Sequence, residues 1–231
     1  MLKWKELPCE LKTKEVRPYY DSLKKKKLSL ALKRSFDLCM SIVLLIVLMP
    51  FMVGISIWIK LDSRGPVFYR QVRVTANNKD FRVFKFRTMV QNADQIGSSV
   101  TIENDPRITK VGAKLRKVRL DELPQLINIV KGEMTFVGTR PEIRKYVDNY
   151  TPEMYATLLL PAGVTSLTSL KYKDEDEIIS KYEKKGYTAD KAYEQFLLPQ
   201  KMKYNLKYLK KFSCLSDVYC IMMTVRKVLL G

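Results

Sequence analysis

The sequence predicts a mainly helical α+β protein held on one face of a membrane. The expected form is a monotopic domain with a re-entrant helix, a small β-hairpin and amphipathic interface helices. Three observations carry this. From Leu38 to Ile59 the chain reads LCMSIVLLIVLMPFMVGISIWI, 22 residues without a charge, of bilayer scale and too internal for a cleaved leader. Both flanks of that segment are basic, and Pro50 stands near its centre.

The flanks decide the topology. Residues 1–34 hold eleven Lys and Arg against four acids, including the run Lys24-Lys25-Lys26-Lys27. Downstream, Lys60, Arg64, Arg70, Arg73, Lys79, Arg82, Lys85 and Arg87 are answered only by Asp62 and Asp80. A spanning helix would leave one basic flank outside, against the positive-inside tendency. A proline in a helix interior removes a backbone donor and clashes with the preceding turn, at roughly 3 kcal/mol. Two arms broken at that point are each about 17 Å long at ~1.5 Å per residue, enough for one leaflet. Three regions are therefore expected: a basic N-terminal arm over 1–32, a re-entrant membrane helix over 33–60 broken near Pro50, and a cytoplasmic domain with interfacial helices over 61–231.

The arm reads as partly helical and suited to an anionic lipid surface. From Pro66 to Met89 short apolar/basic alternation surrounds Asn77-Asn78, a β-hairpin signal. Residues 90–106 are polar and predict a loop. Ile108, Val111, Leu115 and Val118 recur at helical spacing, and Leu123, Leu126, Ile127 and Val130 continue the stripe past Pro124 until Gly132 ends it. The loop GTRPE follows, and a second polar run, KYKDEDE at 171–177, precedes helical sequence rich in Tyr and Lys. From Tyr204 to Leu230 aromatics, lysines and Met/Val/Leu alternate as in a helix at a membrane interface.

Composition narrows the chemistry. The 42 Lys and Arg against 24 Asp and Glu leave a net charge of +18, which calls for an anionic partner: nucleic acid, anionic lipid or a phosphorylated small molecule. No groove-reading motif is present, so nucleic acid is not expected. The chain has no histidine, which excludes the commonest general base, the usual zinc sites and any Ser-His arrangement. Its four cysteines, Cys9, Cys39, Cys214 and Cys220, show no CxxC spacing and read as reduced packing residues.

The candidate site lies in VRLDELPQLINIVKGEMTFVGTRPE, residues 118–142. Asp121 and Glu122 are adjacent, which places them about 100° apart on a helix. Pro124 loosens the turn that carries them, and Arg116, Arg119 and Arg140 supply positive charge nearby. An arginine between Thr139 and Pro141 is of the kind that forks onto phosphate oxygens. Carboxylates among arginines suit phosphoryl transfer, and without histidine the easiest covalent nucleophile is an aspartate. A tethered scaffolding protein, with the acid pair on a solvated turn, is the alternative these residues leave open.

The motifs KRSFD at 33–37, GPVFYRQVRV, FRVFKFRTM, NDPRITKVG, LRKVRLDELPQLINIVKGEMTFVGTRPE and LPQKMKYNLKYLKKFSCLSDVY occur in the order in which they closely resemble the bacterial sugar transferase family, the monotopic polyprenyl-phosphate phosphoglycosyl transferases. The resemblance runs from about residue 30 to 230. It implies transfer of sugar-1-phosphate from a UDP-sugar to undecaprenyl phosphate, with UMP as product, at the cytoplasmic face of the bacterial inner membrane, an early step of glycoconjugate assembly. By motif match it implies Asp121 as nucleophile, Glu122 as a Mg²⁺ ligand, and Arg116, Arg140 and Lys85 as substrate-binding residues. Anionic lipids and downstream glycosyltransferases are the further candidate partners. Two departures stand out: Thr139 replaces the usual proline of a GPRP loop, and LPAGVTS at 160–166 replaces the common RPGITG.

Overall fold

The computed structural model describes residues 1–93, 101, 105–172 and 175–230. The two polar stretches expected over 90–106 and 171–177 therefore lie partly outside the described residues. The fold is mainly helical with two small sheets, and one described helix is long and apolar enough, by length and composition, to cross a membrane.

That helix, α2, runs over Lys27–Asp62 as 36 residues of uninterrupted helical backbone, with Pro50 inside it. The helical assignment runs through Pro50, the position where the break is expected. Proline forfeits one hydrogen bond, but the turns on both sides are clamped by packing. Leu44, Leu45 and Leu48 meet one apolar cluster, and Met52, Ile55 and Ile59 build another with Phe86, Val111 and Leu115. The buried face continues toward the N-terminus in polar form. Lys33 Nζ lies 2.7 Å from Asp217 Oδ2 and 3.8 Å from Asp37 Oδ2, and both acids are buried. The Asp37 carboxylate accepts from the Thr135 hydroxyl and from the Phe136 amide. Arg34 donates to the carbonyls of Ile129 and Val130 at 2.6 and 3.0 Å. At the other end Arg87 donates to the carbonyls of Ser63 and Arg64, both at 2.7 Å. Both ends of α2 are tied to the same globular body, while Ile42, Val43, Ile46, Val47, Val53, Ile57 and Trp58 face outward.

The hairpin forms as expected. Strand β1 (Phe68–Thr75) pairs antiparallel with β2 (Lys79–Phe86), Phe68 opposite Phe86 and Thr75 opposite Lys79. The turn works because Asn77 and Asn78 take φ of 59° and 58°, a left-handed region that asparagine tolerates. Helix α3 (Lys110–Lys117) is capped by the Thr109 hydroxyl, which accepts from Gly112 N. Helix α4 (Gln125–Lys131) ends on Gly132 at φ 81°. Strands β3 (Met134–Val137) and β4 (Ala162–Thr165) pair in parallel. Between them lie α5 (Arg144–Val147) and a 3₁₀ segment, Met154–Leu159. The departure LPAGVTS is therefore mostly strand. Gly163 is required there, since a Cβ would stand 2.2 Å from Gly138 N.

After β4 come α6 (Leu167–Lys171), α7 (Glu175–Glu183) and α8 (Ala189–Ala192), then a π turn at Tyr193–Leu197, α9 (Leu198–Lys210) and α10 (Cys214–Leu230). The single interface helix expected over 204–230 is two elements. In α9, Met202, Asn205, Tyr208 and Leu209 are buried, whereas α10 presents Leu215, Val218, Tyr219, Met222 and Val225 outward. The N-terminal arm also differs from expectation. Residues 1–24, including α1 (Arg17–Lys24), fold into the main core: Leu7, Leu11, Val16, Tyr19 and Leu23 join Leu159, Leu209 and Phe212. Their apolar side chains are interleaved with lysines, so charge dominates the reading of the sequence while burial dominates the structure.

The polar seam under α2 should carry measurable stability. Asp37→Ala orphans the Thr135 hydroxyl and the Phe136 amide, and is expected to cost about 2 kcal/mol. Chemical unfolding of the detergent-solubilised protein reads this, and an unchanged midpoint would remove the seam from the account.

Candidate active site

Asp121 and Glu122 sit on a tight turn between two helices, where the apolar stripe predicted continuous helix. Helix α3 stops because Arg119 takes φ 57°, and Leu120–Glu122 form a single 3₁₀ turn before Pro124 opens α4. The stripe itself passes through: Leu120 and Leu123 pack beside Leu115. A left-handed residue followed by a tight turn points two adjacent carboxylates the same way, and each is 8% exposed.

They lie in the wall of a cavity of about 900 Å³, within the range of small-molecule sites. Among the described residues ten basic and four acidic side chains line it, so its field favours an anion. All five sequence-predicted substrate and catalytic residues, Lys85, Arg116, Asp121, Glu122 and Arg140, meet there. Pro50 is on the exposed side of α2, away from the cavity.

Glu122 is the hub. Arg140 donates to it twice, Nη2 to Oε1 at 2.6 Å and Nη1 to Oε2 at 3.4 Å. Lys85 Nζ adds a contact to Oε1 at 3.3 Å. Each cation is placed by backbone. Asn128, fully buried on α4, accepts from Phe84 N at 2.9 Å and donates to Arg82 O at 2.9 Å, which locks the strand carrying Lys85 against the helix that follows the acid pair. Arg140 follows β3, and its Nη1 also approaches the Val164 carbonyl at 3.5 Å, so the departure LPAGVTS touches the site through its main chain. Arg116 lines the cavity and donates to Thr101 Oγ1 at 3.1 Å.

The two carboxylates are driven apart. Burial foremost, then the neighbouring Glu122 charge, raises the proton affinity of Asp121, with Lys85, Arg116 and Arg140 only partly opposing. Burial would also raise Glu122, but Arg140 and Lys85 outweigh it and hold that carboxyl well below the usual range. Glu122 in turn raises Arg140, while burial lowers Lys85. Among the described residues no hydrogen bond reaches the Asp121 carboxylate. The result is one carboxylate fixed as an anion and one more basic, undercommitted oxygen pair facing a cationic cavity. Such splitting is how neighbouring acids take different roles.

Sequence reasoning missed Asn128, and also Arg73, Glu142, Tyr193 and Lys201, which line the same cavity. The signal was present only as RPE beside Arg140, since the other three come from a strand and from helices far along the chain.

Comparison with known proteins gives one family, bacterial sugar transferase, whose model matches residues 28–231. The chain is 35% identical over 204 residues to a UDP-N-acetylgalactosamine-undecaprenyl-phosphate N-acetylgalactosaminephosphotransferase of Aeromonas hydrophila, covering 87% of this chain and 44% of that protein. It is 32% identical over 201 residues to the UDP-glucose:undecaprenyl-phosphate glucose-1-phosphate transferase of Escherichia coli, covering 85% and 40%. An exopolysaccharide production protein of Sinorhizobium fredii is 30% identical over 214 residues, covering 86% of each. The chain thus spans less than half the length of the first two.

Thr139 buries its hydroxyl oxygen with no hydrogen-bond partner among the described residues. Thr139→Val replaces that oxygen by a methyl and is expected to stabilise the fold by about 1 kcal/mol. A lower melting temperature would show that the hydroxyl is satisfied in solution.

Proposed function

The chain belongs to the bacterial sugar transferase family, and from that premise we propose that it transfers sugar-1-phosphate from a UDP-sugar to undecaprenyl phosphate. The observation that carries the reading is the pair of adjacent buried carboxylates with opposed proton affinities, set in a cavity lined mostly by cations. Asp121 attacks the phosphorus that bears the sugar. A P–O bond forms to its carboxylate, the diphosphate bridge breaks, and UMP leaves with the bridging oxygen. An oxygen of undecaprenyl phosphate then attacks the same phosphorus and restores free Asp121, giving the undecaprenyl-diphospho-sugar. Neither displacement needs a base to remove a proton from its nucleophile, which suits a chain without histidine.

Arg140 and Arg116 hold phosphate oxygens, Arg140 with its planar fork. Lys85 reaches the same point as a compact charge. Mg²⁺ fits as a partner of bound substrate. No group of three or more metal-ligating side chains exists among the described residues, so Glu122 would hold the ion together with substrate phosphate oxygens. When bound, the ion neutralises charge building on the diphosphate. Arg140 and Lys85, which contact Glu122, would turn to phosphate oxygens if Glu122 held the ion.

The proposed setting is the cytoplasmic face of the bacterial inner membrane. The outward apolar faces of α2 and α10 supply the lipid contact, and basic residues at both ends of α2 suit anionic headgroups. Both ends of α2 bond to one charged globular body, which favours placing them on the same side. A site there lets a soluble nucleotide-sugar meet a phosphate carried on a long lipid.

UMP release from a panel of UDP-sugars with undecaprenyl phosphate and Mg²⁺ tests the reaction. Asp121→Asn is expected to lose at least about 10³-fold in rate. Its stability should move the other way. The folded state binds more protons at Asp121 than the unfolded state, so stability falls as pH rises from the ordinary aspartate range through the raised value. That cost is complete only above the raised value, and the amide removes it, so the inactive variant should melt above the parent there. Activity should likewise fall on acidification before an ordinary aspartate would protonate. Parent-like UMP release by Asp121→Asn would end the covalent assignment and favour the scaffolding alternative.

Topology has its own test. Single cysteines at Lys25 and Arg64, in a chain without the four native ones, should both resist an impermeant thiol reagent in intact cells and react once the inner membrane is opened. Labelling of the Lys25 site from outside would mean that α2 spans the bilayer.

A further inference from the structure

Helices α8 and α9 are one helix interrupted by the π turn at Tyr193–Leu197. Such one-turn insertions are rare and concentrate at functional sites. This one has a geometric effect. At ~100° per residue, Tyr193 and Lys201 would stand about 80° apart on an unbroken α-helix, and the extra residue reduces that to about 20°. Both therefore reach the same cavity wall.

There they converge on the residue two places after Arg140. Tyr193 donates its hydroxyl to Glu142 Oε1 at 2.6 Å. Lys201 Nζ donates to the Tyr193 oxygen at 2.9 Å and lies 3.7 Å from Glu142 Oε1 and 3.0 Å from Glu175 Oε1. Lys201 is 3% exposed and Glu142 5%, so this is an interior charge cluster. Arg73 closes the other side, its Nη1 donating to Pro141 O at 3.2 Å and standing 3.9 Å from Glu142 Oε2. Val74 N donates to Glu142 O at 2.9 Å, so the Arg140–Glu142 stretch is pinned in main chain and side chain.

The cluster faces Arg140 with two carboxylates, Glu142 and Glu175, that attract the same guanidinium as Glu122. We propose that Lys201 is a positioning residue for the transfer reaction: with Tyr193 it neutralises and holds Glu142 and Glu175, so that Arg140 stays on Glu122 in the free protein and is delivered to the diphosphate of the nucleotide-sugar. The inference rests on the reaction proposed above. It assigns the far helix a part in nucleotide affinity through Arg140, with no contact of its own to the reacting phosphorus.

A double-mutant cycle tests it, read by UDP affinity in calorimetry and by KM and kcat with the best UDP-sugar. Lys201→Met is expected to weaken UDP binding and raise KM by about tenfold with a smaller change in kcat, and Lys201→Arg to restore most of the loss. On an Arg140→Lys background the same Lys201→Met change should weaken UDP by less than about twofold, because its route to the ligand is already impaired. Equal losses on both backgrounds would overturn the proposal. If Lys201→Met does not fold, Tyr193→Phe carries the same cycle with about threefold effects. A parent protein that binds UDP yet releases no UMP would count against the reaction, and the UDP cycle would still decide the place of Lys201.

Discussion

A carboxylate buried at Glu122 is tolerable only with cations against it, and the two that answer it come from different elements. Lys85 arrives on β2 and Arg140 on the loop after β3. Removing either would leave buried charge uncompensated, one of the more damaging changes a protein can suffer. The hairpin, helix α4 and the parallel pair must therefore keep a fixed relation, and Asn128 and Gly163 are where that relation is enforced. Asp121 inherits what is left. With the nearby cations committed chiefly to its neighbour, burial dominates and its carboxylate becomes the more basic of the two.

The same logic, an interior charge that needs an answer, recurs outward from the site. One step away, Glu142 and Glu175 are matched by Lys201 and Arg73, with Tyr193 as the hydrogen-bonding link. Further out, under the apolar helix, Asp37 and Asp217 are matched by Lys33, with Thr135 and Tyr208 completing the oxygens. A helix with so much outward apolar surface would otherwise have little to orient it on the domain. A polar stripe at Lys33, Arg34 and Asp37 selects one rotation, because only that rotation satisfies all three. The remaining apolar face stays uncovered by the described residues.

Much of this was legible in the chain. Alternation about Asn77-Asn78 gave the hairpin, helical spacing gave α3 and α4, and charge around Asp121-Glu122 marked the site, because these are local patterns with local causes. One reading misled for a physical reason: the lysines of residues 1–32 predict a basic arm suited to an anionic lipid surface, yet Leu7, Leu11, Val16, Tyr19 and Leu23 bury between them.

The sequence by itself determined which residue types could do chemistry here: no histidine, an acid pair set among arginines, one arginine between Thr139 and Pro141, and a charge-free segment with basic flanks. Only the tertiary structure decided that the pair would split in proton affinity, since that depends on how deeply each carboxylate is buried and which cations reach it first. It alone also brought Tyr193 and Lys201, 53 and 61 residues beyond Arg140, into the same wall. A π turn set their facing, and Coulomb interaction at 3–4 Å depends on distance in space and is blind to separation along the chain.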